Sequence, residues 1–315
     1  MKPSSLGDIV HALPAVAALK AHWPGTKIDW LVNTEWMPLL KDNPDIDRLI
    51  EFPRKQFRGV RGWLTIPRWL VANSGKMHDL ALDLQGLLRS GLIARWLGSR
   101  QIWGLSDARE GVQFFYHRTV KLPGRRMHAV DRYLCLVRAL HVEDLPEPVF
   151  RLPSGNPPEG FYVDEPYLLL HPFSRGKGKS LAPACVEKIA LDLAPQKVVL
   201  VGGFDQPLTM PDNVINLVNR TSLPELIWLI RNAAFTVSVD SGPAHIAAAL
   251  SNQLLSIHTW SNPQLVGPYR PDAWIWKSGR IMRVADWKPG HNETISPPPP
   301  DRIATFVKER LALRT

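Results

Sequence analysis

The sequence holds only two cysteines in 315 residues. Cys135 and Cys185 stand in different halves, and neither belongs to a CxxC or Cys/His spacing. This argues against a disulfide framework or a structural zinc and fits a reducing compartment. Long apolar runs are missing as well. The longest candidate, residues 235–255, is broken by Asp240, His245 and Asn252. It does not read as a bilayer span, so any membrane contact is expected to be peripheral. The opening Met1 to Leu6 is short and polar, unlike a secretory signal. There is no GxGxxG after a strand, which argues against a nicotinamide dehydrogenase, and no GxxxxGK[ST] loop. No His/Cys/Asp cluster has metal-ligand spacing, so no metal and no cofactor is expected. Charged residues make up only 21%, against 45% hydrophobic. Such a chain is globular rather than disordered, and its length suits two domains.

What charge there is leans one way. The formal net charge is +9, which implies anionic partners: nucleic acid, phosphorylated small molecules or an anionic membrane surface. A nucleic-acid binder would explain the charge. It would leave two carboxylates beside glycine loops, Asp8 and Asp240, without a purpose.

Strand-like and helical patterns alternate along the chain, which predicts an α/β fold with parallel sheets. In the first half the strand-like runs are 27–32 and 80–84, with helical periodicity over 64–71 and 128–140. In the second half, strands are expected at 167–170, 197–201, 235–239 and 254–258. Helices are expected at 185–193, 223–233, 243–250 and 301–313. Residues 145–166 contain six prolines and two glycines. That composition suits a stiff linker, so the expected domains are 1–150 and 151–315.

Four constellations carry possible chemistry. In Ser4-Ser5-Leu6-Gly7-Asp8, a glycine loop enters an apolar helix. Asp8 there is either a helix cap or a general base for an acceptor hydroxyl. In Val239-Asp240-Ser241-Gly242-Pro243-Ala244-His245, a buried strand runs into a helix that starts at proline. Such a start can hold a phosphate on its free N–H groups. The loop His171 to Leu181 offers Ser174, Arg175, Lys177 and Lys179 to a diphosphate. Finally, Arg54, Lys55, Arg58 and Arg61 interleave with Phe57, Trp63 and Trp69, a mixture that suits an anionic lipid surface.

In this order the pieces resemble glycosyltransferase family 9, the ADP-heptose:lipopolysaccharide heptosyltransferases. The resemblance rests on Ser4 to Pro14, on Asp83-Leu84-Gln85-Gly86-Leu87-Leu88-Arg89-Ser90, and on Ala108-Arg109-Glu110. It rests further on His128-Ala129-Val130, on Val239 to His245, and on Gly267-Pro268-Tyr269. It implies a GT-B fold, with two Rossmann-like domains facing across a cleft. The first domain would take the lipid A-core acceptor and the second the ADP-sugar, which is a substrate and not a cofactor. The implied reaction is a metal-independent, inverting transfer of heptose to a lipopolysaccharide core, at the cytoplasmic face of the inner membrane. Another nucleotide-sugar donor or another glycan acceptor would suit the same loops. By resemblance Asp8 is the base. Ser174, Arg175, Lys179, Thr221, Ser222, Asp240, Ser241, Gly242 and His245 serve the donor. Ser5, Gly7, Arg54, Lys55, Arg58, Arg61, Gln85, Arg109 and His128 serve the acceptor. The chain departs from the family pattern at its start, where only Met1-Lys2-Pro3 precedes Ser4. The first sheet is therefore expected to lack its first strand, a strand of about six residues by ordinary lengths.

Overall fold

Residues 6–18 are almost all apolar, and they form the buried part of helix α1, Leu6–His22. A helix apolar on all sides belongs in an interior. The computed structural model describes residues 1–57, 59–124, 126–142, 144–176, 178–290 and 295–312, with the side chains of residues 60, 61 and 63 also outside the description. Within these residues the chain forms two compact units, Met1–Pro153 and Ser154–Thr315. Residues 151–153 stay with the first unit for a visible reason. Arg151 donates to both carboxylate oxygens of Asp45, at 2.9 and 2.7 Å, and its carbonyl accepts from the Asn43 amide.

After α1, the first unit continues with β1 (Asp29–Asn33), α2 (Met37–Leu40), β2 (Arg48–Phe52), α3 (Gly59–Asn73) and β3 (His78–Asp83). It ends with α4 (Leu88–Trp96), β4 (Ser99–Leu105), β5 (Arg118–Val120) and α5 (Ala129–Arg138). β1 pairs in parallel with β2, and β4 pairs in parallel with β3 on one side and β5 on the other, as two separate ladders. Residues 1–3 lie between them. The Met1 nitrogen donates to Leu82 O at 2.9 Å, and Met1 O accepts from Leu84 N at 3.1 Å. On the other side, Pro3 O accepts from Asn33 N at 3.0 Å. Three residues thus stand where the expected first strand would run, and they link both ladders at the carboxyl ends of β1 and β3.

The second unit contains β6 (Leu168–His171), α6 (Pro183–Leu193), β7 (Val198–Leu200), β8 (Val214–Asn216), α7 (Leu223–Asn232) and β9 (Phe235–Val239). Then come α8 (Gly242–Leu250), β10 (Leu254–Ile257), α9 (Pro263–Val266), β11 (Trp274–Lys277), β12 (Arg280–Arg283) and α10 (Pro300–Ala312). The described strands form one sheet in the order β8-β7-β6-β9-β10-β11-β12. Counted within the unit this is 3-2-1-4-5-6-7, the Rossmann order with one strand added. β6, β7, β9 and β10 are buried at every position, as parallel strands covered on both faces must be. Their side chains pack with Val186, Ile189 and Leu193 of α6 and with Ile303 and Val307 of α10. Each such fully buried aliphatic side chain contributes about 1.5–3 kcal/mol.

The expectation of parallel strands fails at one place. β12 runs antiparallel to β11, with Lys277 opposite Arg280. Ser278 (φ 50°) and Gly279 (φ 79°) form the two-residue turn between them. Positive φ at both central residues gives the twist a tight hairpin needs.

Candidate functional site

In a sheet of this order the chain leaves strands 1 and 4 in opposite directions, which opens a crevice at their carboxyl ends. Each unit places its singular residues there.

In the first unit the crevice lies between residues 1–3 and β3. Ser5 is the N-cap of α1, and Asp8 is its third helical residue. Asp8 Oδ2 accepts from the Ser5 hydroxyl at 2.6 Å and from the Ser5 N–H at 3.0 Å. This capping box satisfies a donor that the helix start leaves open. It does not consume the carboxylate, whose side chain stays 43% exposed. The cap and the base are therefore compatible readings of one residue. Gly7 is buried in the first turn. The Gln85 side chain reaches the same loop, with Oε1 3.4 Å from Ser4 N.

The remaining acceptor residues are distributed unevenly. Arg109 meets the Gln85–Gly86 turn through its backbone, which donates to Gly86 O at 2.9 Å, while its side chain is exposed. His128 caps α5, accepting from Val130 N at 3.2 Å, and its ring lies edge-on to His11 of α1 at 5.0 Å. Arg54 and Lys55 are exposed just beyond β2. Arg58 and the side chain of Arg61 lie outside the described residues.

In the second unit the crevice lies between β6 and β9. The loop after β6 delivers Lys179, and Asp240 follows β9. The Lys179 ammonium donates to Asp240 Oδ2 at 2.7 Å and to Asp240 O at 3.2 Å. His245 Nε2 and His258 Nδ1 approach the other carboxylate oxygen at 3.9 and 4.0 Å. Burial alone would raise the Asp240 carboxyl. The imidazoles of His258 and His245 and the Lys179 ammonium outweigh it and hold the group below its ordinary value. Burial pushes His258 itself down to about 4, so its imidazole is neutral at pH 7. Ser241 is the N-cap of α8, whose first residue is Gly242. The Ser241 hydroxyl donates to Val239 O at 3.0 Å and sits 3.3 Å from Nδ1 of the buried His171.

Ser174 closes the loop after β6, its N–H donating to Ser180 Oγ at 2.9 Å. Arg175 is exposed, and Lys177 lies outside the described residues. Thr221 and Ser222 stand apart from this group, beyond β8 and two strands away from β6 in the sheet. Ser222 caps α7, and the Thr221 hydroxyl donates to Leu217 O. What the second unit brings together, then, is a lysine, a buried carboxylate and the start of a nine-residue helix. Such a set can orient sugar hydroxyls and neutralise a diphosphate. Among the described residues no three His, Cys, Asp or Glu side chains cluster so as to hold a metal, and no helix is long and apolar enough to cross a membrane.

Residues 73–286, more than half of the chain, match the model of glycosyltransferase family 9 (heptosyltransferase). The chain belongs to this family. It is 25% identical over 288 residues to the lipopolysaccharide core heptosyltransferase OpsX of Haemophilus influenzae, covering 85% of this chain and 80% of the relative. It is 26% identical to lipopolysaccharide heptosyltransferase 1 of Pseudomonas aeruginosa, with the same coverage. Among solved structures, the fold is similar to the E. coli heptosyltransferase WaaC with ADP, at a TM-score of 0.74 and 21% identity over 98% of both chains. The E. coli ADP-heptose lps heptosyltransferase II gives 0.74 and 20% over 99% of this chain and 98% of that one. The fold is GT-B, and the protein is a glycosyltransferase.

Several residues that shape this family 9 enzyme were not singled out by sequence reasoning. Asp83, 1% exposed, accepts from Gln85 N, Gly86 N, Ser90 Oγ and Tyr116 Oη at 2.7–3.1 Å. The Asp-x-Gln-Gly-x-x-Arg-Ser pattern is thus a turn held around a buried carboxylate, and Gly86 sits in it at φ 66°. Glu110 caps α4 by accepting from Leu88 N at 3.1 Å, which ties the Ala-Arg-Glu segment to the same turn. Lys2 is buried, donates to Leu84 O, and holds its ammonium 3.7 Å from Asp8 Oδ1. The shared spacing of Asp83 and Ser90 was the available signal for the first. Lys2 gave none, because a lysine near a terminus reads as solvated.

Proposed function

We propose that this family 9 enzyme transfers heptose from ADP-heptose to a lipopolysaccharide core acceptor, with inversion and without a metal. The observation that carries this reading is the Lys179–Asp240 pair beside the α8 start, at the switch point of a Rossmann-ordered sheet. Lys179 and the free N–H groups of α8 would face the diphosphate and take up the charge that develops as the bond to the anomeric carbon breaks. Asp240 and His245 would accept from and donate to the donor's hydroxyls. In the first unit, Asp8 would remove the proton from the acceptor hydroxyl as its oxygen attacks the anomeric carbon from the face opposite the leaving ADP. Lys2 and Ser5 would keep that carboxylate aimed. Gln85 and the turn held by Asp83 would help to form the wall against which the acceptor rests.

The relatives' names support heptose and the lipopolysaccharide core as partners. The basic residues Arg54 and Lys55 support an anionic acceptor at a membrane surface, which would place the enzyme peripherally on the cytoplasmic face of the inner membrane. The test is mass-spectrometric detection of product from ADP-heptose and a defined lipid A-core acceptor, with and without excess chelator. A heptosyl product of inverted anomeric configuration that forms in chelator is the expected result. Transfer from a different activated sugar alone would redirect the donor assignment. Activity lost with chelator and restored by Mg²⁺ or Mn²⁺ would overturn the metal-independent mechanism.

A further inference from the structure

The first unit contains a pocket of about 500 Å³ between α3 and α4, with no residue of the Asp8 loop in its lining. Pockets of roughly 300–1,000 Å³ are the size that encloses small ligands. Its inner wall is aromatic. Phe52, Phe57 and Trp69 stand edge to face with ring centroids 5.1, 5.5 and 5.8 Å apart. Ile66 and Leu70 of α3 and Ile93 of α4 complete the apolar lining. Two cations reach the same space: Arg54, beyond β2, and Arg89, the arginine of the Gln-Gly-x-x-Arg pattern. Among the described residues no side-chain hydrogen bond or ion pair engages either guanidinium. Burial and the charge of Arg54 both push the Arg89 guanidinium below its ordinary value, against the pull of Glu110. Two like charges beside an apolar hollow repel each other until an anion comes between them.

The rim is apolar as well: Trp96 is 63% exposed and Leu92 37%. Exposed apolar groups gathered around a hollow mark an interaction surface rather than ordinary scatter. A nucleotide or sugar would find few partners on such walls. A purely apolar ligand would leave both arginines unanswered.

We propose that this pocket takes one acyl chain of the acceptor's lipid anchor, with the anchor's neighbouring phosphate or other anionic group held between Arg54 and Arg89. This rests on the reading of the first unit as the acceptor unit. It adds to that reading a hydrophobic subsite distinct from the Asp8 crevice. Arg54 is exposed and Phe52 is buried, so an amphiphile would enter tail first. Leu92 and Trp96 then lie against the bilayer from which the chain is drawn.

The test uses the full-length protein and a series of linear alkyl phosphates, each below its micelle-forming concentration, read by tryptophan fluorescence and calorimetry. Affinity should rise about fourfold for each added methylene, then level off when the pocket is full. Leu70→Trp, which narrows the pocket, should bring the levelling to a shorter chain. Arg54→Gln with Arg89→Gln should weaken the alkyl phosphates at least tenfold and leave alkyl alcohols unchanged. A urea transition of the parent's amplitude, with unchanged far-UV circular dichroism, shows that the first unit of each variant is folded. A rise with no levelling, unaltered by Leu70→Trp, would mean partition onto a greasy surface and would overturn the pocket. Binding of inorganic phosphate as tight as that of the longest alkyl phosphate would overturn the acyl assignment.

Transfer assays identify the source of the chain. Leu70→Trp should raise KM for a fully acylated acceptor and leave KM for the same acceptor after deacylation unchanged. If KM for both is unmoved while binding to anionic phospholipid vesicles drops, the chain comes from the bilayer and the assignment to the acceptor fails. If neither acceptor is glycosylated although alkyl phosphates bind as described, the proposed function fails and the pocket stands.

Discussion

Lys179→Met separates a donor-binding lysine from a merely structural one. Lys179 Nζ lies 2.7 Å from Asp240 Oδ2, and the two side chains are 20% and 5% exposed. Removing one partner of a buried ion pair costs about 3–5 kcal/mol, because the other charge stays buried without compensation. Lys179 is one-fifth exposed and water can partly replace it, so the lower end applies, about 3 kcal/mol. In a unit of this size that lowers Tm by about 6–12 °C. The pH dependence has a definite sign. In the unaltered protein the Asp240 carboxyl lies below its ordinary value. Its contribution is complete above the unfolded value of about 3.9 and is lost as pH falls through the native one. In the variant the ammonium no longer helps the imidazoles to oppose burial, so the folded value rises from its native position. Lowering the pH then relieves the variant by protonating Asp240, or by charging His258 beside it. The gap in unfolding free energy should therefore be about 3 kcal/mol at pH 7 and narrow towards pH 4.5. Urea titrations at both pH values measure it. A gap under about 1 kcal/mol, or one of equal size at both pH values, refutes the electrostatic account. ADP affinity should fall at least tenfold, the worth of a hydrogen bond to a charged group. Unchanged ADP binding in a destabilised variant would make Lys179 a structural residue.

Asp8→Asn should lower turnover about 10²–10⁴-fold, while Asn still accepts from Ser5 and keeps the helix start, so unfolding shifts by no more than about 1 kcal/mol. Near-normal turnover would leave Asp8 as a cap and nothing more. Asp83→Ala strips acceptors from two backbone N–H groups and two hydroxyls and should cost about 3–5 kcal/mol in the first unit, measured in urea; a loss under 1 kcal/mol would show that the turn around Gln85 holds without it. His171 and His258 are each pushed down by burial to about 4, so each contributes stability that is complete above the unfolded value of about 6.5 and is lost as pH falls towards 4. The second unit should weaken by about 1.4 kcal/mol per pH unit for each histidine in that window, and a flat profile between pH 6 and 4.5 would contradict the buried, neutral imidazoles. Gly104→Ala places a methyl 2.1 Å from a Tyr116 ring carbon, so Tyr116 must move off Asp83, and the variant should unfold at lower urea than the parent; an unchanged midpoint would mean that the ring swings clear at no cost.

Much of the second unit was legible along the chain. β6, β7, β9 and β10 are buried on both faces, so their sequences are short, mainly apolar runs, and Pro172, Gly202 and Asp240 mark where β6, β7 and β9 end. The helices α5, α6, α7 and α8 show their period or their proline start. β2, β4, β5, β8, β11 and β12 were not visible in that way. They lie at or near sheet edges, or carry charged residues such as Arg48, Glu51 and Arg118, so no single periodicity dominates them. The motif residues were also legible as a set: Ser5, Asp8, Gln85, Lys179, Asp240 and His245 could all be named before any coordinates.

By itself, the sequence determined the α/β class, the Pro-rich seam and the short list of reactive side chains, because capping, alternation and loop composition act between near neighbours. Tertiary structure decided what those residues do together. Lys179 and Asp240 are 61 residues apart, and Ser4 and Gln85 are 81 apart. Each pair meets only because the strand order opens a crevice at the same point in both units. The same folding made a four-bond hub of Asp83, turned Glu110 into a helix cap, and buried Lys2 beside Asp8. It also closed α3 and α4 over an aromatic hollow with two arginines at its edge. Local pattern could not reveal these. Burial, and the charge or hydrogen bond that burial demands, depends on which distant segments pack, and that is a property of the folded chain.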